Sequence, residues 1–470
     1  MSISKLSASV LALAVALALS ACGGGGGDGS SNHAPLAHAG SVQSVPAGSV
    51  VTLTAAASTD ADGDSLTYRW SLVRRPNGSS ATMGGSTQVS PTFTPDIAGD
   101  YVFSLIVNDG QVDSLASNVT ITAANVAPVA NGGSAQSVTT GSLVTLDGSA
   151  SSDSNGDALA YTWTLTSKPA GSTAALSSTT SVRPTFTADA GGDYVATLTV
   201  HDGELTSALA TVSVRASTPV SGILAASTDF TKFLSPYDLG GDLSVPGGAV
   251  LSLESGVILN GNGNRLVVEG TLRAIGTATE RVTINNTKIV PAGKSSGANP
   301  SHLIDLAFAN ITGGTLYAPT GNAIYGSLRL TDSNLNGLSD YLYLWYPGDV
   351  VIERNLFQVS GGISIGSGGA VSVTNNCFVD WRTAFAVENW ANLGAAIRIK
   401  KNSFMTRSVA VRLPTGYTNA SLDATQNYWG TQDATVIQDM IFDRNDDLTS
   451  NAVIPYLPNL SGHDPQTPCP

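Results

Sequence analysis

The chain has 470 residues and a net charge of −13, and 42% of its residues are hydrophobic. That hydrophobic share excludes a disordered protein, and the length accommodates about three domains. The negative charge argues against nucleic acid as a partner, because no basic stripe is present to neutralise phosphates. It is compatible with bound calcium or neutral sugars, and it disfavours polyanionic glycans as substrates.

Residues 1–22 have the organisation of an export signal. Their apolar run, residues 11–19, is too short for a permanent membrane-spanning helix. The run ends in Leu19-Ser20-Ala21-Cys22, which resembles the lipobox of bacterial lipoproteins and implies cleavage before Cys22 and lipidation of that residue. Residues 23–33 would form a flexible tether. Gly23 stands where retained lipoproteins often carry Asp, so the resemblance implies a lipid anchor in the outer membrane, facing the periplasm or the cell exterior. The alternative is an ordinary signal peptide.

Residues 34–124 and 125–215 are two copies of one segment, offset by 93 positions without a gap. Tyr68-x-Trp70 returns as Tyr161-x-Trp163, and Gly99-Asp100-Tyr101 returns as Gly192-Asp193-Tyr194. Alternating apolar runs separated by Asp/Gly turns predict a β-sandwich in each copy. The tryptophans fall where an immunoglobulin-like core has its buried Trp, and the tyrosines where a tyrosine corner could form.

These motifs, together with Ser58-x-Asp60-x-Asp62-Gly63-Asp64 and Asp109-Gly110, resemble the polycystic-kidney-disease (PKD) domain family. The resemblance implies spacer, adhesion or glycan-contact modules of extracellular proteins, and it does not imply catalysis. Alternating carboxylates in a turn are also suited to calcium, which prefers six to eight hard oxygen ligands. The alternative is ordinary turn chemistry, since Asp and Gly dominate turns. The candidate calcium ligands are Asp60, Asp62, Asp64 and Asp109 in the first copy, and Asp153, Asn155, Asp157 and Asp202 in the second.

The chain changes character after a predicted linker at residues 216–221. A motif of the form apolar-x-apolar-x-x-Asn-x-aromatic recurs with its asparagines at 355, 376, 402 and 427, and weaker echoes end at 286, 310 and 334. One short strand repeated every 20 to 26 residues or so predicts a solenoid. Its asparagines would form a hydrogen-bonded column at one bend, beside a stack of Phe357, Phe378, Phe404 and Trp429. Residues 222–460 therefore predict a parallel β-helix, entered near residues 245–272 and followed by a tail, residues 461–470.

This half resembles the right-handed parallel β-helix proteins, through its entry segment, its asparagine rungs and the closing Asn427-Tyr428-Trp429-Gly430. The fold class is therefore all-β: two tandem PKD-like sandwiches and a right-handed parallel β-helix. The resemblance leaves the activity open, because this fold includes polysaccharide lyases, hydrolases, adhesins and other surface proteins.

Stacking the rungs places two sets of side chains on the outside of the coil. The strand before each asparagine would present Val351/Glu353, Ser372/Thr374, Arg398/Lys400 and Asp423/Thr425, a mixed column typical of a solvated face. The preceding strand would present Tyr343, Trp345, Ser364, Glu388 and Arg412, with aromatic residues in the loops that follow it. Exposed aromatic residues flanked by charges indicate a binding surface. The candidate ligand-binding residues are Tyr343, Trp345, Trp390 and Tyr417, and the weaker catalytic candidates are Glu388, Arg412 and Lys400.

Cys377 and Cys469 could form a disulfide in an exported protein, or they could stay unpaired with Cys377 buried. The sequence favours a non-catalytic, membrane-anchored surface protein whose β-helix head binds a carbohydrate or another surface ligand. The alternatives are a polysaccharide lyase or glycoside hydrolase, and a purely structural cell-surface protein. Calcium is the only cofactor expected, and the expected partners are a membrane through the lipid, and a polysaccharide or surface protein.

Overall fold

The computed structural model describes residues 31–292, 302–316, 326–344, 348–366, 369–391, 396–416, 421–448 and 452–470. The chain divides into two compact units, Met1–Val126 with Ser154–Gly156, and Ala127–Asp153 with Asp157–Pro470. The predicted signal peptide, the lipidation site Cys22 and most of the tether lie outside the described residues. Over the described ranges, no helix is long and apolar enough to cross a membrane.

The first repeat forms the predicted β-sandwich. One sheet has the order β1-β7-β6-β3 and the other the order β2-β5-β4. The burial pattern of β6 alternates along the strand, because its inward side chains fill the space between the sheets. Trp70, Tyr101 and Phe103 are among the core residues, as the sequence predicts for the first two. The strands are β1 (Gln43–Pro46), β2 (Val51–Thr52), β3 (Thr67–Arg74), β4 (Met83–Gly84), β5 (Thr92–Phe93), β6 (Gly99–Asn108) and β7 (Ser117–Ala124).

The second repeat has the same plan, with β10, β12, β13 and β8 in one sheet and β9 paired with β11. Trp163 and Tyr194 lie in its core. Both predicted tyrosine corners form: Tyr101 Oη donates to Ile97 O at 2.9 Å, and Tyr194 Oη donates to Ala190 O at 3.0 Å. The strands are β8 (Gln136–Thr139), β9 (Leu143–Thr145), β10 (Ala160–Ser167), β11 (Thr185–Thr187), β12 (Gly192–His201) and β13 (Ala210–Ile223).

Strand β13 continues from the second sandwich into the coil, so residues 216–221 are strand and not a linker. Its first part pairs with β12 and β8, and from Thr218 onward it pairs in parallel with β15. Pro219 suggests a linker in the sequence, but β8 has ended there and β13 has become an edge strand, which tolerates a missing N–H. The coil therefore begins at β13, before the predicted entry segment.

The C-terminal half is a parallel β-solenoid of about 7 turns. Its first face contains β14, β16, β19, β22, β25, β28, β31 and β34, and its second face contains β15, β17, β20, β23, β26, β29, β32 and β35. The third face is formed by β18, β21 and β24 in the early turns and by β27, β30, β33, β36 and β37 in the later turns.

The early strands of the coil are β14 (Thr228–Phe230), β15 (Tyr237–Val245), β16 (Val250–Leu253), β17 (Ile258–Asn260), β18 (Arg265–Val268), β19 (Thr271–Ile275), β20 (Val282–Asn285), β21 (Lys288–Pro291), β22 (His302–Ala307), β23 (Ala309–Thr312) and β24 (Thr315–Leu316). The later strands are β25 (Gly326–Thr331), β26 (Asn334–Asn336), β27 (Leu342–Leu344), β28 (Val350–Glu353), β29 (Leu356–Gln358), β30 (Ile363–Ile365), β31 (Val371–Thr374), β32 (Cys377–Phe378), β33 (Val387–Asn389), β34 (Ile397–Lys400), β35 (Ser403–Phe404), β36 (Val411–Arg412) and β37 (Ile441–Phe442). A 3₁₀ turn covers Lys232–Leu234, and helix α1 covers Ala434–Asp439.

The predicted asparagine column runs through the bend between the first and second faces. Side-chain amides link Asn355 to Asn376 at 3.0 Å, Asn376 to Asn402 at 3.0 Å and Asn402 to Asn427 at 3.1 Å. All four side chains are fully buried. The rings of Phe357, Phe378, Phe404 and Trp429 stack beside the column at centroid distances of 4.6, 5.3 and 5.2 Å.

Two of the weaker echoes are outside this column. Ser333 occupies the column position, since its backbone N donates to Asn355 Oδ1 at 2.9 Å. Asn334 and Asn310 are instead linked to each other on the outside of β26 and β23, at 3.0 Å. Because side chains alternate between the two sides of a strand, the one-residue offset at Asn334 moves its amide to the surface.

The tail, residues 461–470, lies across the last rungs of the second face. Cys469 is disulfide-bonded to Cys377 on β32, His463 Nδ1 is 2.8 Å from Ser403 Oγ on β35, and Asp464 accepts from Asn375 Nδ2 at 2.7 Å. These contacts cover Cys377 and Ser403 completely, although both belong to an outward-facing column.

Candidate functional site

The third face carries the predicted outward column of polar side chains. Tyr343 on β27 is in register with Ser364 on β30, Ser364 with Glu388 on β33, and Glu388 with Arg412 on β36. Adjacent strands lie about 4.8 Å apart, so the column spans about 14 Å from Tyr343 to Arg412. Phe442 on β37 continues the column beyond Arg412.

Glu388 is the buried centre of this column. Only 3% of the residue is exposed, although it points away from the solenoid core. Its Oε1 accepts from Arg412 Nε at 2.6 Å and its Oε2 from Trp390 Nε1 at 2.6 Å, while Ser364 Oγ lies 3.4 Å away. A buried carboxylate needs such partners, because an unpaired charge away from water is costly. Glu388 therefore fixes the orientation of Arg412 and Trp390.

Aromatic rings form a second layer next to the column. Tyr341 stacks on Phe385 at 4.6 Å, and its edge faces the ring of Tyr343 at 5.7 Å. The other side of Phe385 is covered by the guanidinium of Arg412, 4.2 Å from the ring centroid. Arg412 is thus fixed both by an ion pair and by a cation–π contact.

Two glycines allow Tyr341 to reach Phe385 across an intervening rung. A Cβ on Gly361 would lie 1.7 Å from Asp340 O, and one on Gly362 would lie 2.3 Å from Phe385 O. With no side chain at this rung, Tyr341 extends over it, and its Oη accepts from Ala384 N at 3.1 Å. Sequence reasoning missed this pair of aromatic residues, and the Gly-Gly pair between them was the signal available to find it.

Asp340 completes the end of the site opposite Arg412. Tyr343 Oη donates to Asp340 Oδ1 at 3.1 Å. Burial, together with the charges of Asp340 and Glu388, raises the pKa of Tyr343 to about 12. The phenol therefore stays protonated at neutral pH, where it can donate a hydrogen bond but cannot act as a base.

Of the predicted ligand-binding aromatics, Tyr343 and Trp390 are half-buried at this site. Trp345 and Tyr417 lie outside the described residues. The catalytic candidate Lys400 is on the first face, in register with Thr374, and its Nζ pairs with Asp423 at 2.6 Å. Lys400 therefore does not join Glu388 and Arg412, and its face is the solvated one that the mixed column predicts.

The site combines aromatic faces, a phenol, a buried carboxylate and an oriented guanidinium. Aromatic faces stack against sugar rings, and the polar groups can exchange hydrogen bonds with hydroxyls. Glycosidases need a pair of acids across the scissile bond, one of them free to transfer a proton. Here the carboxylate of Glu388 is bonded to both Arg412 and Trp390, so the arrangement suits binding better than proton transfer.

The acidic turn of the first sandwich is a separate cluster. Carboxylate oxygens of Asp60, Asp62 and Asp64 lie within 4.8 Å of one another, the only such group of three among the described His, Cys, Asp and Glu side chains. Asp60 Oδ2 is buried and has no hydrogen-bond partner, as expected of an oxygen available to a cation. Both oxygens of Asp62, however, are close to His33, and bonds from its backbone and side chain lower the pKa of Asp62. The residues fit calcium in part, and His33 would have to give way.

Asp109 and the second copy are arranged around backbone donors. Asp109 Oδ1 accepts from two backbone N–H groups of its own turn, and Asn32 donates to its Oδ2 at 2.8 Å. Asp202 Oδ1 likewise accepts from two backbone N–H groups, and Asp153 Oδ1 accepts from Asp157 N at 3.2 Å. Asn155, the remaining candidate ligand, is nearly fully buried. These bonds are the turn chemistry that the alternative interpretation expects.

Comparison with known proteins bears on the sandwiches. A family model of the PKD domain matches residues 39–123 and again residues 132–215. The chain contains two tandem PKD domains. Their strands, tryptophan cores and tyrosine corners are those described above. No curated protein matches the sequence.

Several solved structures are similar over parts of the chain. A nucleoside hydrolase-related protein of Saccharophagus degradans associated with carbohydrate metabolism is 28% identical over 20% of this chain and 26% of its own, with a TM-score of 0.18. The PKD domain of the KIAA 1837 protein is 26% identical over 20% of this chain and 91% of its own, with a TM-score of 0.17. An endo-fucoidan hydrolase of glycoside hydrolase family 107 is 21% identical over 39% of this chain and 28% of its own, with a TM-score of 0.21. TM-scores of this size leave the ligand and activity to be argued from the chain itself.

Proposed function

We propose that this chain is a surface protein in which two PKD domains carry a β-helix head, and that the head binds carbohydrate through its third face. The observation that carries the proposal is the column Tyr343–Ser364–Glu388–Arg412 with Tyr341 and Trp390 beside it. A solvated face needs no buried carboxylate, yet Glu388 is 3% exposed and holds two neighbouring side chains in place.

Pre-organisation gives this arrangement its value for binding. A ligand that orders a loose arginine or tryptophan loses affinity to conformational entropy, about 0.5–1.5 kcal/mol per side chain. In this site Arg412 is already held by Glu388 and Phe385, and Trp390 by Glu388. A sugar ring meeting Trp390 or Tyr341 would therefore avoid most of that cost.

The proposal includes a lipid anchor at Cys22, supported by the lipobox resemblance and the glycine-rich residues that follow. Metabolic labelling with a palmitate analogue tests it directly. We expect labelled protein in the membrane fraction, and neither label nor membrane association in Cys22→Ser. An unlabelled, freely released wild-type chain would refute the anchor.

Binding is tested with the full chain on a panel of bacterial and plant polysaccharides with calcium present, measuring retention and new reducing or unsaturated ends in the same samples. We expect retention without cleavage, reduced about tenfold or more in Trp390→Ala. The matched control is Phe233→Ala, which removes a partly exposed aromatic side chain outside the third face. Equal retention of the wild type and Trp390→Ala would exclude this face, and retention of no polysaccharide would favour a structural role.

The second candidate function is a polysaccharide lyase or glycosidase on the same face. It is favoured by the two carboxylates, Asp340 and Glu388, whose charges both act on Tyr343. A phenol kept protonated between acids could donate a proton to a leaving group. Cleavage in the panel above, abolished by Tyr343→Phe, would establish this alternative over simple binding.

A further inference from the structure

We infer that the third face selects a sugar carrying an acid group, a carboxylate or a sulfate ester, and that Arg412 binds it. The inference rests on the proposed carbohydrate-binding function and names the class of ligand. It departs from the expectation drawn from the net charge, because it depends on the immediate surroundings of one side chain.

Arg412 is fixed along its inner edge and free along its outer one. Its Nε donates to Glu388 Oε1 at 2.6 Å, and its guanidinium lies flat on Phe385. No described residue forms a hydrogen bond with its two terminal amino groups. The Arg412 side chain is 34% exposed, whereas that of Glu388 is 4% exposed, so the acid is covered and the outer edge of the base reaches the surface.

The chemistry of this free edge is selective. A guanidinium presents parallel N–H donors in a plane, a geometry that matches the two oxygens of a carboxylate or sulfate and not a single hydroxyl. Neutralising Glu388 needs only one of the five donors. A lysine could supply the charge alone, so the arginine provides a fork that the ion pair leaves unused.

The surrounding charges allow an incoming acid. The Glu388–Arg412 pair is neutral in sum, and the second carboxylate of the site, Asp340, contacts Tyr343 at the other end of the column. That end is about 14 Å away, beyond the screening length of about 8 Å at physiological salt. An acidic sugar over Arg412 would therefore meet little repulsion, while its neighbouring units could lie along Tyr343 and Tyr341.

The test presents the full chain with matched glycans that differ only in the acid group: oligogalacturonides, their methyl esters and their carboxyl-reduced forms, and a sulfated galactan with its desulfated form. We expect an acidic member to bind about tenfold more tightly than its neutral partner, since a charge-assisted bidentate pair contributes at least that factor. Whether the carboxylate or the sulfate series binds identifies the acid group. This ligand-side comparison needs no variant.

On the protein side, Arg412→Lys keeps the charge and removes the fork. We expect about tenfold weaker binding of the acidic probe and no change for a neutral one. The matched control is Arg398→Lys on the first face, where the arginine is exposed and the substitution should be silent. Equal binding of acidic and neutral partners, or an Arg412→Lys variant that binds the acidic probe like the wild type, would overturn the inference and leave carbohydrate binding standing. Retention of no glycan at all would contradict both.

Discussion

The buried asparagine column makes a sharp prediction at Asn376. Its side chain accepts from Asn355 N and Asn355 Nδ2, both at 3.0 Å, and its Nδ2 lies within hydrogen-bond distance of Ile352 O, Thr374 O and Asn402 Oδ1. Two amide hydrogens can serve only two of those three acceptors at a time. Asn376→Ala therefore removes about four bonds from a fully buried position.

The cost follows from which groups keep a partner. Asn355 Nδ2 still donates to Leu330 O, and Asn402 Oδ1 still accepts from the backbone of residue 376. The Asn355 backbone N–H loses its acceptor, at about 1–3 kcal/mol for a buried donor, and each of the other lost bonds contributes about 0.5–1.5 kcal/mol. The sum is roughly 3–6 kcal/mol. The matched control is Asn334→Ala, which removes one half-exposed amide bond that water can replace, at about 0.5–1 kcal/mol.

The assay is native-state hydrogen exchange on peptides covering β28 to β32, because a chain of several domains does not unfold in one step. We expect these amides to exchange about 100-fold or more faster in Asn376→Ala, and at most several-fold faster in Asn334→Ala. An Asn376→Ala effect as small as that of the control would refute the argument that the column stabilises the coil.

Three further outcomes are expected from the tail and the sandwiches. Replacing Cys377 and its partner by serine, or adding reductant, should destabilise the head by at most about 4–5 kcal/mol on the chain-entropy estimate, seen as a lower denaturation midpoint; an unchanged midpoint would mean that the cross-link does not form. In the second PKD domain, burial alone would raise the pKa of Asp189, but bonds from Ser172, Thr173 and Tyr194 outweigh it and hold the pKa well below its usual range. Its stabilisation is thus complete above about pH 4 and lost as the pH falls further, so Asp189→Asn should flatten the acid limb of a stability–pH curve, while the exposed Asp193→Asn should not. Calcium should raise the unfolding temperature of the first PKD domain relative to EDTA, and Asp60→Asn should abolish the shift; identical melting with calcium and EDTA would exclude the site.

Much of the fold could be predicted from the sequence, because repetition converts a weak pattern into a strong one. One asparagine before an aromatic residue means little, but four at similar spacing predicted a column that the structure confirms from Asn355 to Asn427. The same logic failed at Asn334, where a shift of one residue puts the amide on the opposite side of the strand. The junction near Pro219 was also misread, because proline suggests a linker unless the strand is known to be an edge.

The site could be predicted only in part, for a different physical reason. The column from Tyr343 to Arg412 follows from strand alternation and rung spacing, both of which are local properties. The contact of Tyr341 with Phe385 depends on what is missing at Gly361 and Gly362, and strand alternation does not report such a gap. The depth at which Glu388 is buried could not be predicted either, because it depends on side chains of neighbouring turns.

The shared strand β13 determines where this protein can be cut. A fragment that starts after the second family match, at residue 216, would keep β15 but remove the sandwich strands that order its partner. A fragment that starts at residue 222 would remove most of that partner as well, leaving the backbone groups of β15 open to any other strand in solution. The unit to express for studies of the head alone is therefore residues 127–470, in which the second PKD domain covers the first turn of the coil and serves as its folding template.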